Sequence, residues 1–319
     1  MYANKGKKLN LLCGNTVQAL LYKLQRACIA FLGMERTKMC NKIYIKKLEQ
    51  ELDIDKLCAR INPGENDILF ISGSLIEGQT SYHSEGMGNK KSDIDIFVFS
   101  DRIEHYSNID YNEKYCKTTF LQLQGIQFDI EIYRINDLMC FWKNLDEIHF
   151  ADGVTDNIRT MNLLKTEEAA KKKYMSATHR LLNGICVYNY KRYEEIKKQV
   201  NLENYYTYNV RMYINIIDLC YDDVLGYLDE GQGMLAVLMA RKLLLYAAGA
   251  YLFANKISFD REKWVPLLME NLSRESSEKR EVFEEFKKLL FYDNLLKDKD
   301  YIKNAKDILL WINKLVDCL

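Results

Sequence analysis

The spacing of apolar residues changes along the chain, and the change divides it. From Ile43 to Ile61 apolar side chains recur at Ile45, Leu48, Leu52, Ile54 and Leu57, a spacing that predicts a helix over 43–61. Asn62-Pro63-Gly64 ends it with turn chemistry. Asp67 to Ser72 is a short apolar run of strand length. Asp93 to Ser100 is a second, alternating acidic and apolar in its first half. Lys117–Leu123 and Gln127–Tyr133 flank Gln124-Gly125-Ile126 and read as two strands joined by a short turn. From about Ile135 the period is helical and stays so to Leu319, most clearly over Gly233–Asn255. The expected fold class is α+β, a small mixed sheet followed by an α-helical bundle. The expected divisions are an N-terminal helical extension over 1–42, a sheet domain over 43–150 and a helical domain over 151–319. Ahead of the sheet, the apolar stretch from Leu9 to Leu32 is broken by Lys23 and Arg26 and diluted by Asn15, Gln18 and Gln25. It reads as an amphipathic helix rather than a membrane span or a leader.

Composition narrows the function. Lys plus Arg and Asp plus Glu number 45 each in 319 residues, so no global field draws a polyanion, and long nucleic acid is not the expected partner. Nine scattered cysteines without a Cys-x-x-Cys pair argue for reduced thiols in a cytoplasmic protein rather than a disulfide scaffold or a structural zinc site.

Three features follow one another in the sheet half. Ile71-Ser72-Gly73-Ser74 takes a strand into Gly-Ser, with Gly78 close behind; Ser92-Asp93-Ile94-Asp95-Ile96 carries two carboxylates; and Phe128-Asp129-Ile130-Glu131-Ile132 carries two more. Residues i and i+2 of a strand share a face roughly 6–7 Å apart, so Asp93 and Asp95 stand side by side. Asp129 on a neighbouring strand adds a third, and Glu131 faces the same way. Such a set suits two hard divalent cations, since magnesium takes oxygen ligands and keeps substrate phosphates in its shell. Ile94, Ile96, Phe128, Ile130 and Ile132 turn to the core. Gly73 lets backbone approach a phosphate closely, Ser74 and Ser92 add hydroxyls, and N–H groups opening a following helix would complete an anion cradle.

In this order the residues resemble the DNA polymerase beta-type nucleotidyltransferase superfamily. Its signature is an apolar strand, Gly-Ser, an Asp-x-Asp pair and a third acidic strand. The match covers about residues 65–135. The resemblance implies that Asp93 and Asp95 bind two Mg2+ ions. It also implies that Asp129, with Glu131 as the alternate, binds the catalytic one and helps deprotonate an acceptor hydroxyl. An NTP would be the co-substrate, with AMP favoured as the group transferred, a small hydroxylated molecule the acceptor and pyrophosphate the product. A cyclic or linear oligonucleotide synthase, an RNA- or protein-modifying enzyme and a non-catalytic NTP-binding regulator are the competing readings. The helical half is weakly similar to that of antibiotic-modifying adenylyltransferases.

One departure is the length of the stretch from Leu75 to Lys91, which holds His83, Glu85, Gly86, Gly88, Asn89, Lys90 and Lys91. It reads as a surface loop or as a lid whose Lys90 or Lys91 touches phosphate. In the helical half the basic run Lys171, Lys172, Lys173, Arg180, Lys191 and Arg192 reads as an exposed helix face. Arg241 and Lys242, and the acids Asp222, Asp223, Asp229 and Glu230, read as solvated surface. Tyr205, Tyr206, Tyr208 and Tyr213 read as interface filling. The four histidines, His83, His105, His149 and His179, show no ligand spacing and receive no role.

Overall fold

The computed structural model describes residues 41–77, 86–150, 163–291 and 298–319. The helix expected over Leu9–Leu32, and Gly78, His83 and Glu85 of the long loop, lie outside them. Residues 41–319 form one compact unit.

The predicted helix over 43–61 is only half helix. Its first half is a hairpin, β1 (Lys42–Ile45) paired antiparallel with β2 (Gln50–Asp53), and the helix α1 is Ile54–Ile61. Ile45 and Leu52 are buried in either geometry, so the apolar spacing alone does not choose. β-branched Ile43 and Ile45 around Tyr44 favour extended backbone, and Glu49 makes the turn in the left-handed region at φ 53°. Asp53 then starts the helix by accepting the Lys56 N–H at 3.1 Å. Gln50 Nε2 donates to the Gln124 carbonyl at 2.7 Å, tying this hairpin to the turn of the main sheet, a constraint that no local pattern records.

The main sheet comprises β3 (Ile68–Ser72), β4 (Ile94–Ser100), β5 (Tyr111–Asn112), β6 (Lys117–Leu123), β7 (Ile126–Arg134) and β8 (Ile185–Tyr188), in the order β5-β6-β7-β4-β3-β8. Only β4 and β7 pair in parallel. The strands read from sequence are all present, and the β6–β7 turn uses Gln124 and Gly125 at positive φ. β8 corrects the expectation of unbroken helix beyond Ile135. It is four residues long and lies between Gly184 and a left-handed Asn189, punctuation that marks a break but not its type.

The sheet separates two apolar layers. On one face Leu69, Ile71, Ile94, Ile96, Val98, Phe128, Ile130 and Ile132 pack with Ile45, Leu52, Ile54 and Leu57 of the hairpin and α1. On the other, Phe70, Phe97, Phe99 and Tyr133 meet the helices. These are α2 (Ile135–Asp146), α3 (Glu168–Asn183), α4 (Tyr190–Lys197), α5 (Leu202–Asp229), α6 (Gly233–Ala254), α7 (Val265–Leu272), α8 (Ser277–Phe291) and α9 (Asp298–Val316). The fold class is α+β, as expected. α6 is long and apolar enough to cross a membrane, yet most of that length is buried among its neighbours. Tyr205 and Tyr208 are core residues here.

Gly184 brings the end of α3 against the sheet. A Cβ there would stand 2.7 Å from the Phe70 ring and 2.8 Å from the Arg180 carbonyl. Gly184→Ala is expected to cost about 1–3 kcal/mol through overpacking, read as a lower urea midpoint at unchanged slope.

Candidate active site

Cross-strand register gathers the acids. Asp95 on β4 lies opposite Asp129 on β7 and opposite Ser72 on β3, so one transverse row runs Ser72, Asp95, Asp129 and on to Phe120 of β6. Residues so paired share a face. Asp93 stands exposed just before β4 begins, and Ile94 and Ile96 turn into the opposite layer. Glu131 occupies the next row, opposite Phe97.

Two of these carboxylates are held above their usual range, Asp95 and Asp129. Asp95 is pushed up to about 7, first by burial and then by Glu77, Asp129 and Glu131, against the opposing pull of Arg180. Asp129 is raised by burial, Asp93 and Glu131. Glu131 accepts the Tyr133 hydroxyl at 2.5 Å, whereas Asp129 has no hydrogen-bond partner among the described residues. That difference favours Asp129 over Glu131 as the third ligand of a cation. Among the described residues no group of three or more His, Cys, Asp or Glu side chains is arranged to hold a metal ion. Asp93, Asp95 and Asp129 are nonetheless oxygen donors of the kind magnesium takes, and that ion needs few protein oxygens.

Gly73 is fixed by this row. It sits at φ 89°, and a Cβ would stand 2.2 Å from Asp95 Oδ2, so glycine alone lets the turn after β3 lie against the carboxylate. The Glu77 N–H bonds back to the Gly73 carbonyl at 2.8 Å, making one helical turn. The Gly73 N–H itself donates to Glu77 Oε1 at 3.0 Å and is therefore engaged rather than free for phosphate. Ser74 and Ser92 converge across Gly88, where a Cβ would meet their hydroxyl oxygens at 2.5 and 3.0 Å. The returning end of the loop is thus laid against Gly73-Ser74, and Gly88 N–H donates to the Ser74 carbonyl at 2.6 Å. Lys90 pairs with Glu49 at 3.6 Å, on the hairpin side.

Behind the row lies a buried polar network that sequence reading missed. Glu77 Oε1 accepts from Ser72 Oγ at 2.8 Å and from Arg180 Nη1, and Glu77 Oε2 faces His179 Nε2 at 3.0 Å. His179 Nδ1 reaches Ser258 Oγ at 2.9 Å. Arg180 Nη2 lies 2.7 Å from Asp260 Oδ2 and 3.5 Å from Asp95 Oδ2. Burial alone would raise Glu77, but His179, Arg180 and Ser72 outweigh it and hold the carboxyl well below its usual range. Arg180 and Lys171 therefore correct the expectation of a solvated basic face on α3, since both are buried. Only the fold reveals the network, since His179 and Arg180 lie 102 and 103 residues from Glu77 in sequence. His179 was visible in the sequence, but its partners were not.

Other candidates lie apart. Asp222, Asp223, Asp229, Glu230 and Lys242 are exposed. On the open side of the row, Phe120 and Tyr111 keep 46% and 59% of their surface and meet edge to face at 5.9 Å.

No family model matches the chain, and no curated protein does. Among solved structures, the chain is similar to a nucleotidyltransferase-like protein from Exiguobacterium sibiricum 255-15. The identity is 10% and the TM-score 0.42, over 83% of this chain and 73% of that one. A likeness of that size leaves substrate and mechanism to the residues themselves.

Glu77 provides the test of the network. Its folded pKa is depressed, so its stabilising contribution is complete above about pH 4.3 and is lost as pH falls through the folded value. Glu77→Gln is expected to cost about 3–5 kcal/mol at pH 7, because Arg180 and His179 lose a buried partner. It should also flatten the acid limb of stability, measured by urea unfolding across a pH series.

Proposed function

We propose that the chain is a magnesium-dependent nucleotidyltransferase that moves a nucleoside monophosphate from an NTP to the hydroxyl of a small molecule. The observation that carries the reading is the cross-strand row in which Asp95 and Asp129 face each other, with Asp93 at its mouth and Gly73-Ser74 against it. Four carboxylates crowded on one face destabilise a sheet unless a cation joins them.

In this reading Asp93, Asp95 and Asp129 would hold the magnesium ions. The bound ions would neutralise the triphosphate and stabilise charge on the attacking and leaving oxygens. The Ser74 and Ser92 hydroxyls would donate to a phosphate oxygen. Asp129, with its raised pKa and no competing donor among the described residues, would take the proton of the acceptor hydroxyl. The acceptor oxygen bonds to the α phosphorus as the bond from that phosphorus to the bridging oxygen breaks, and pyrophosphate carries away the electron pair. The adenylyl group is the first candidate for transfer.

The balanced charge supports a small acceptor over a long polyanion. Asp129 is the outermost acid of the row, and beyond it lie exposed Phe120 and Tyr111. The acceptor therefore approaches over β6, where an aromatic pair can cover its apolar surface.

Two experiments test this. Thermal stabilisation by ATP, GTP, CTP and UTP, each with and without magnesium, is expected to show a magnesium-dependent shift for the donor that disappears in Asp93→Asn. Asp95→Asn should abolish pyrophosphate release while leaving the fold intact, and normal turnover in that variant would end the metal-site assignment. Once an acceptor is in hand, Phe120→Ala should raise its KM about tenfold, equivalent to roughly 1.4 kcal/mol of lost aromatic contact, with little change in the KM for NTP.

A further inference from the structure

The Arg180 guanidinium is shared unequally. Nη1 is taken by Glu77. Nη2 lies 2.7 Å from Asp260 Oδ2, a charge-assisted hydrogen bond, but 3.5 Å from Asp95 Oδ2, beyond the usual range of one. Asp260 comes from the segment after α6, and its side chain is only 4% exposed. Ser176 Oγ donates to the same Oδ2 at 3.1 Å, which fixes the carboxylate where it stands. Among the described residues Asp260 Oδ1 and Arg180 Nε have no hydrogen-bond partner. A buried carboxylate left half unsatisfied is costly, and packing gives no reason for it.

Its position supplies one. Nη2 already approaches Asp95 Oδ2 at 3.5 Å, so that carboxylate is a partner within its reach once Asp260 is lost. An Arg180–Asp95 ion pair would occupy the oxygen that a divalent cation needs. We infer that Asp260 is a positioning residue that holds the Arg180 guanidinium off Asp95, leaving the Asp95 carboxylate open to a divalent cation brought in by a nucleoside triphosphate. The inference rests on the metal-dependent reading given above. It assigns part of the metal affinity of the sheet to the helical half of the chain, through a residue that touches neither metal nor substrate.

The full-length chain tests it by binding, without turnover. Mn2+ is titrated in the presence of a non-hydrolysable ATP analogue, and free Mn2+ is read by electron paramagnetic resonance. The proteins are wild type, Asp95→Asn, Asp260→Asn, Asp260→Ser and the double variant Arg180→Gln/Asp260→Asn. Thermal melts without metal report folding, and Asp260→Ser stands in should Asp260→Asn fail to fold. Removing the Asp260 charge is expected to weaken Mn2+ binding about tenfold, and removing Arg180 as well is expected to restore it to within about twofold of wild type. A support role alone would lower the melting temperature and leave Mn2+ affinity unchanged, which overturns the inference. Equal weakening in the single and double variants overturns it too, because the guanidinium would then not be the competitor. Wild type that binds no Mn2+ would instead defeat the nucleotidyl-transfer reading itself, and the inference with it. Wild-type binding that is lost in Asp95→Asn and intact in Asp260→Asn defeats the inference alone.

Discussion

One sheet face carries more negative charge than the fold neutralises, and much of the architecture follows from that excess. Asp93, Asp95, Asp129 and Glu131 converge on two adjacent strands, and Asp95 is driven up to about 7 by burial and by its acidic neighbours. The Arg180 guanidinium, 3.5 Å from Asp95, is shared with Glu77 and Asp260. Such a face can be kept only if its opposite side is strongly apolar and its rear is rigid. The first condition is met by Ile94, Ile96, Phe128, Ile130 and Ile132, all buried beneath the hairpin and α1. The second is met by Glu77, which locks the Gly73 turn to α3 through His179 and Arg180.

The parts of this design that are local were legible in the sequence. The strands β3, β4, β6 and β7 have alternating or continuous apolar runs bounded by turn residues, and their carboxylates fall at spacings that put them on one face. The parts set by contacts distant in sequence were hidden. Ile45, Leu48 and Leu52 satisfy a helical spacing, yet pairing between Ile43 and Leu52, and the Gln124 side chain above Asp53, make that segment a hairpin. β8 is too short to show a period of its own and exists because Phe70 and Ile71 offer it an edge. Arg180 looked like one more member of a basic run, and only its burial against three carboxylates separates it from Lys172 on the same helix.

The same division explains which site residues sequence could name. Groups that would meet a ligand, such as Asp93, Asp95, Asp129 and Ser74, lie on or beside the strands that present them. Groups that tune those residues come from wherever the chain happens to return. Glu77, His179, Ser258 and Asp260 span more than 180 positions, and each is an ordinary residue type at its own place. Charge balance belongs to the folded volume, so a count of 45 acids against 45 bases says nothing about where the imbalance sits.

That separation also bears on how such a site can change. A ligand carboxylate tolerates little variation because its oxygen must remain an oxygen. The buried pairs behind it obey a looser rule, since a guanidinium can be held by any anion that reaches it. On the proposed reading, the strength with which Asp95 attracts a cation could therefore be retuned from α3 or from the segment after α6, without touching the row that would perform the transfer. The open side of the row offers the complementary freedom. On the proposed reading, Phe120 on β6 and Tyr111 on the edge strand β5 could vary with the acceptor, because neither takes part in the charge network.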